Sequence, residues 1–180
     1  MKVIIMMGIP GSGKSTWIGN NLDYEEFPDV ISLDDIRERL NGDAASQKNL
    51  TEVVEIAHAQ LKWLLLHGKN AVWDATNLKA EHREQILKTC NDFGAETHLV
   101  AMITPPELSR IRNASRTRVV PDQVMDRMWE AMQDAGPEVK QDGRRITSGF
   151  IGWNEISYVV TTPMPNGEFV EGVKDFCPDF

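Results

Sequence analysis

Apolar positions along this chain follow two alternating rhythms. Val3-Ile4-Ile5-Met6-Met7 is an unbroken apolar run ending at Gly8, the pattern of a strand covered on both faces. Residues 29–33 predict a short second strand, and residues 34–40 open a helix that the Asn41-Gly42-Asp43 cluster breaks. Over 50–67, Val53, Val54, Ala57, Leu61, Leu64 and Leu65 recur at helical spacing, and Gly68 stands where a C-terminal cap belongs. Asn70-Ala71-Val72-Trp73 predicts another doubly covered strand, ending at Asp74. Residues 79–93 predict an amphipathic helix through Ile86, Leu87, Cys90 and Phe93, closed by Gly94, and residues 97–103 the next strand. Helices follow over 105–119 and 121–135. Strands over 155–162 and 168–173, flanking Pro163-Met164-Pro165-Asn166-Gly167, predict a terminal hairpin.

Strands alternating with helices imply an α/β fold, a parallel sheet with helices on both faces. Ligands of such sheets bind beyond the carboxyl ends of the strands, where Gly8, Asp34, Asp74 and Thr104 fall. The 180 residues suit one domain. By size it buries about 70% of its unfolded surface. The expected division is a core over 1–135, including a lid at about 105–120, with 136–180 as an extension packed on the same domain.

A formal charge of −8 and a pI near 5.0 argue against a protein that coats nucleic acid by charge alone. A narrow local basic site stays compatible with that balance. Cys90 and Cys177 are too few for a disulfide framework, and no Cys/His cluster has zinc-ligand spacing. The N-terminal apolar stretch is too short for a membrane span or a secretory signal, so a soluble, cytoplasmic protein with no membrane partner is expected. Self-association is left open.

The first strand runs into Gly8-Ile9-Pro10-Gly11-Ser12-Gly13-Lys14-Ser15, which fits G-x-x-x-x-G-K-[ST]. Glycines let the backbone turn tightly so that successive N–H groups form one concavity for a nucleotide's phosphates, at a helix N-terminus whose dipole favours anions. A nucleoside triphosphate and Mg²⁺ are the expected ligands, with Gly11, Ser12, Gly13, Lys14, Ser15 and Thr16 as contacts. Lys14 supplies charge to the β/γ phosphates and Ser15 ligates the magnesium ion. The bland alternative is a glycine-rich turn without a ligand.

Asp34, at the end of the second strand, is a candidate general base for a hydroxyl attacking the γ-phosphate. Arg37, one helical turn on, can grip a phosphate on the acceptor. Against this, Ser32-x-x-Asp35 also reads as a capping box, and Asp35 with Arg39 as a surface pair. Asp74 suits either magnesium, held through water, or the acceptor, with Thr76 and Asn77 as hydrogen-bonding partners. Its alternative role, or that of Asn77, is to cap the next helix. Arg110, Arg112, Arg116 and Arg118 form a local reversal of sign. Arg112 and Arg116, four apart, are expected on one helical face closing over the donor. A solvated surface role is the alternative for Arg110 and Arg118. Trp63 and Trp73 are expected in the core, Trp17 and Trp129 on helices, and Trp153 is the one placed to stack on a ligand. The four histidines lack catalytic or metal spacing.

With the loop, Asp34-x-x-Arg37, Asp74-Ala75-Thr76-Asn77, Arg112-x-x-x-Arg116 and Val119-Val120-Pro121 in this order, the sequence resembles the kinase module of the 5′-hydroxyl polynucleotide kinases from Lys2 to about Ala135. The resemblance implies a four- or five-stranded parallel sheet of the adenylate-kinase-like three-layer class. It also implies ATP as donor and a 5′-OH end of DNA or RNA as acceptor. Asp34 then matches the general base, Arg37 the acceptor-phosphate clamp, Arg116 the lid arginine at the donor phosphates, and Arg112 a second lid position. Ala75 separates Asp74 from the Thr-Asn pair, and no Asp-x-Asp motif of a 3′-phosphatase is present, so phosphatase activity is not expected. Two other readings share the scaffold: a small-molecule kinase, in which Arg37 binds a substrate carboxylate or sugar phosphate, and a nucleotide-operated ATPase switch.

Overall fold

The computed structural model describes residues 1–46, 48–135, 152–163 and 169–176. Arg144, Arg145, Cys177 and most of the turn around Pro165 lie outside the described residues. The elements are β1 (Lys2–Met7), α1 (Lys14–Asn21), β2 (Val30–Ser32), α2 (Leu33–Asn41), α3 (Leu50–Leu66), β3 (Ala71–Asp74), α4 (Ala80–Asp92), β4 (Glu96–Ile103), α5 (Pro106–Ala114), α6 (Asp122–Ala135), β5 (Glu155–Pro163) and β6 (Phe169–Phe176). They build one sheet in the order β2-β3-β1-β4-β5-β6. Its first five strands are parallel, and β6 returns antiparallel to β5, giving the expected C-terminal strand pair.

The apolar run of β1 explains its central place. Val3, Ile5 and Met7 face the core built with α2, α3, α4 and α6. Ile4 and Met6 face the opposite layer, with Ile18 of α1, Phe27, Val100, Met102 and Val159. One strand therefore feeds two cores, the signature of helices on both sides of a parallel sheet. The register pairs Ile4 with Val72 on one side and with His98 on the other, so the strand ends line up along one edge. The chain leaves β1 toward β3 and β2, then returns to place β4 on the other side. β1 is thus the switch point above which a ligand crevice opens.

Local signals set the helix boundaries. Ser32 Oγ accepts the Asp35 N–H at 3.2 Å and Gly42 closes α2 in the left-handed conformation, so the capping reading of Ser32 is realised. Neither Asp74 nor Asn77 caps α4, whose N-cap is Lys79 without a side-chain cap bond. The helix expected over 105–119 ends at Ala114 with Ser115 as its cap. Asn113 accounts for the early stop: its Nδ2 donates to Val120 C=O at 2.8 Å and its Oδ1 accepts the Val120 N–H at 3.1 Å. A buried amide that satisfies both backbone groups of one residue folds the intervening chain into a loop.

Two tryptophans differ from expectation. Trp63 is 51% exposed, lying against His67 and Lys69, because Val53, Ala57, Leu61, Leu64 and Leu65 take the inner face of α3. Trp153 is buried in the main core beside β5 and is not available for stacking on a ligand. Trp73 is in the core as expected. Among the described residues no helix is long and apolar enough to cross a membrane.

Candidate active site

The loop after β1 has no room for side chains at Gly8 and Gly11. A Cβ on Gly8 would sit 2.7 Å from Ser12 Oγ and 3.0 Å from Met102 Cβ. One on Gly11, at φ +77°, would lie 2.2 Å from the Ser109 carbonyl oxygen of α5. Gly13 is the N-cap of α1 at φ +100°. Three positive-φ glycines bring the loop close against its neighbours and leave a helix N-terminus, with its unpaired backbone N–H groups, at the rim of the cleft.

Neighbouring segments hold that loop from below. The Gly8 N–H donates to Thr76 C=O at 3.0 Å, and Asn77 Nδ2 donates to Met6 C=O at 2.6 Å. Thr104 Oγ1 donates to Ser12 C=O at 2.9 Å and lies 3.2 Å from Thr161 Oγ1. Asn77 is 5% exposed with its amide nitrogen on the end of β1, which places it beneath the loop. The Asn77 carbonyl is held in turn by the buried guanidinium of Arg83 at 2.8 Å. Thr76, half-buried, meets the loop through its carbonyl.

Lys14 Nζ donates to Gly8 C=O at 2.9 Å and Ile9 C=O at 3.1 Å, folding over the loop. Burial lowers its pKa, opposed by the attraction of Asp74 and Asp34 and reinforced by repulsion from Arg116. Ser15 Oγ donates to Asp74 Oδ2 at 3.4 Å, uniting the start of α1 with the end of β3. Burial raises the Asp74 pKa, against the pull of Lys14. Hard oxygen donors at the rim of an anion cradle fit magnesium chemistry, so Ser15 and Asp74 are the residues that could hold such an ion.

The raised Asp74 pKa has a consequence for stability. The native state binds this proton more tightly than the unfolded chain, so the carboxylate form detracts from stability, and stability falls as pH rises from the usual Asp range through the native pKa. Asp74→Asn is expected to stabilise the nucleotide- and metal-free protein at pH 7.5 by about 1 kcal/mol, a rise of about 2–4 °C in melting temperature. At pH 5 the gain should shrink. Thermal unfolding at both pH values checks this, and a lower melting temperature at pH 7.5 would show that attraction to Lys14 outweighs desolvation.

Across the cleft, Asp34 stands in the first turn of α2. Arg37 Nη1 pairs with its Oδ1 and Arg118 Nη1 lies 3.2 Å from its Oδ2. One carboxylate is therefore bracketed by a guanidinium from its own helix and one from the loop after α5. Asp35 is exposed, its N–H used by the cap. Arg112 and Arg116 do not share a helical face: Arg112 lies in the last turn of α5 and Arg116 beyond its end, exposed yet close enough to lower the Lys14 pKa. Arg110 pairs with Asp126 and joins α5 to α6. Thr16 is exposed in the first turn of α1, and Ser12 is buried with its Oγ unpartnered.

Lys14, Ser15, Asp74, Asp34, Arg37 and Arg118 thus converge on one strand-end edge, with Arg116 nearby. Sequence reasoning missed the bond of Arg118 to Asp34 and the anchoring role of Asn113. A lone Asn between arginines carries no pattern that could have shown it.

A cradle closed by glycines, a lysine folded over it and a Ser–Asp pair at its rim, set on a five-strand parallel sheet with helices on both faces, define an α/β P-loop kinase fold, which implies nucleotide binding. The family model described as AAA domain (AAA_33) matches residues 3–136, and the chain belongs to that family. No curated protein matches the chain. Among solved structures, it is similar to a chain of the Pnkp1/Rnl/Hen1 RNA repair complex, with TM-score 0.66 and 23% identity over 81% of this chain and 47% of that one. It spans about half the length of that neighbour. A gluconokinase from Sinorhizobium meliloti 1021 matches with TM-score 0.52 and 19% identity, over 77% of this chain and 78% of the other. The AvrRxo1-ORF1:-ORF2 structure with ATP matches with TM-score 0.64 and 13% identity, over 94% of this chain and 57% of that one. At these identities the likeness is one of fold.

Proposed function

We propose that this protein is an ATP-dependent polynucleotide 5′-hydroxyl kinase that transfers the γ-phosphoryl group to the 5′-OH end of DNA or RNA. The observation that carries this reading is Asp34 between Arg37 and Arg118, opposite the Lys14 loop. A carboxylate beside two cations suits an acceptor that brings both a hydroxyl and an adjacent phosphate, as a 5′-terminal nucleotide does. The fold likeness to a component of an RNA repair complex adds support.

Asp34 accepts the hydroxyl proton as the 5′ oxygen bonds to the γ-phosphorus, and the bond from that phosphorus to the bridging oxygen breaks, releasing ADP. Lys14 and Arg116 stabilise charge on the transferring group, with Arg112 a second lid contact. Gly11, Ser12, Gly13 and Thr16 complete the donor cradle, and Thr76 and Asn77, expected on the acceptor side, instead hold that cradle through the Gly8 N–H and the end of β1. Ser15, with Asp74 behind it, would hold magnesium, which when bound neutralises phosphate charge.

Incubation with γ-labelled ATP, magnesium and a 5′-OH oligonucleotide should label the oligonucleotide. Label only in free phosphate would indicate an ATPase switch, and label on a sugar or other metabolite a small-molecule kinase. Arg37→Ala should raise the acceptor KM roughly tenfold to a hundredfold with a smaller change in kcat, the loss of one charge-assisted phosphate contact. The slope of log(kcat/KM) against log salt should flatten by about 0.7 for a single strand. An unchanged slope would remove Arg37 from the acceptor phosphate.

A further inference from the structure

The arginines of α5 and of the loop after it are used in different ways. Arg110 joins the two helices through Asp126, and Arg112 belongs to the last turn of α5. Arg118 instead reaches across the cleft to Asp34, whose other oxygen Arg37 takes.

Two properties of the Arg118–Asp34 contact stand out together. The side chains are 30% and 47% exposed, so solvent screens the pair and it contributes little stability. Yet the loop that presents Arg118 is firmly rooted. Asn113, 1% exposed, closes it with the two hydrogen bonds to Val120, and the Asn113 backbone abuts the nucleotide loop at Gly11. A cation held in place by its loop and bound weakly to its partner is built to exchange that partner. Two guanidinium groups on one carboxylate also leave an excess positive charge that a second anion would neutralise.

We propose that Arg118 is a second anion-binding residue of the acceptor subsite. When the acceptor's phosphate enters, Arg118 and Arg37 turn from Asp34 to its oxygens, a planar fork meeting a tetrahedral anion. The same exchange uncovers the Asp34 carboxylate, so the base is released to take a hydroxyl proton only when an anionic acceptor is seated. Acceptors whose hydroxyl is flanked by a phosphate are therefore selected over neutral nucleosides and sugars. This inference rests on the reading of Asp34 as the base facing the acceptor.

The test compares a nucleoside 3′-monophosphate with the same nucleoside lacking phosphate, in wild type, Arg118→Ala and Arg118→Lys. Wild type should favour the phosphorylated acceptor in kcat/KM by about a hundredfold or more, as two charge-assisted contacts imply. Arg118→Ala should cut that ratio at least about tenfold through the acceptor KM, and Arg118→Lys, which keeps the charge without the fork, should restore part of it. Equal losses on both acceptors would assign Arg118 to the donor side and overturn the proposal. Calorimetric binding of the nucleoside 3′-monophosphate in the presence of a non-hydrolysable ATP analogue separates the two readings. If no 5′-OH acceptor is phosphorylated but Arg118→Ala still weakens this binding about tenfold, the kinase assignment falls and the anion subsite stands. If transfer occurs and binding is unchanged, the subsite falls alone.

Discussion

Asp34→Asn lowers phosphoryl transfer by about a thousandfold, the range expected for loss of a general base, while ATP affinity stays within about threefold. The substitution isolates proton transfer from geometry. An asparagine side chain keeps an oxygen that can accept from Arg37 or Arg118, so α2 and the loop after α5 keep a tie between them. What is lost is a site able to take the hydroxyl proton. ATP binding is spared because the donor cradle is made by the β1–α1 loop, with Asp34 contributing to Lys14 only as a distant favourable charge. Single-turnover transfer to a 5′-OH oligonucleotide, with binding of a non-hydrolysable ATP analogue measured alongside, reads both quantities. A rate within about tenfold of wild type would show that another group, or solvent, takes the proton.

Much of the scaffold could be read directly from periodicity. The doubly apolar runs of β1 and β3 are visible because central parallel strands are covered on both faces, and the α3 repeat is visible because one helical face must be buried. Gly8, Gly11 and Gly13 were legible for a different reason: their spacing reflects a backbone that only glycine can follow. The errors lie where distant groups decide. The region 105–119 is expected to be helical after its two prolines, but Asn113 trades continued helix for two bonds to Val120. Arg112 and Arg116 therefore part company despite ideal helical spacing. Arg118 meets Asp34 through folding of the whole sheet edge, and no local pattern encodes a pair so far apart in sequence. Trp153 departs from expectation for a related reason, since its burial depends on docking beside β5 and not on its irregular surroundings in the chain.

Gly11→Ala is expected to destabilise the protein by about 3 kcal/mol or more and to weaken nucleotide binding by at least about a hundredfold. Two costs combine at this position. The φ of +77° is one that an L side chain rarely adopts, and the new methyl would stand 2.2 Å from the Ser109 carbonyl oxygen and 3.1 Å from its carbon. These are backbone atoms of a packed helix, so no rotamer change relieves the clash; either the loop lifts or α5 moves. A lifted loop loses the concavity that holds phosphates. A displaced α5 carries Asn113, whose backbone nitrogen lies 3.3 Å from the same methyl, and with it the loop bearing Arg116 and Arg118. Gly19→Ala is the control: this α1 position has nothing within 4 Å of a new Cβ, so the change should be neutral or stabilising by up to about 1 kcal/mol. Thermal unfolding and nucleotide titration of the pair distinguish tight approach from a general cost of adding methyl groups. If the Gly11 variant binds ATP like wild type, the close approach of loop and α5 is not needed for the cradle. If binding survives but transfer alone is lost, the path through Asn113 to the arginine loop carries the effect.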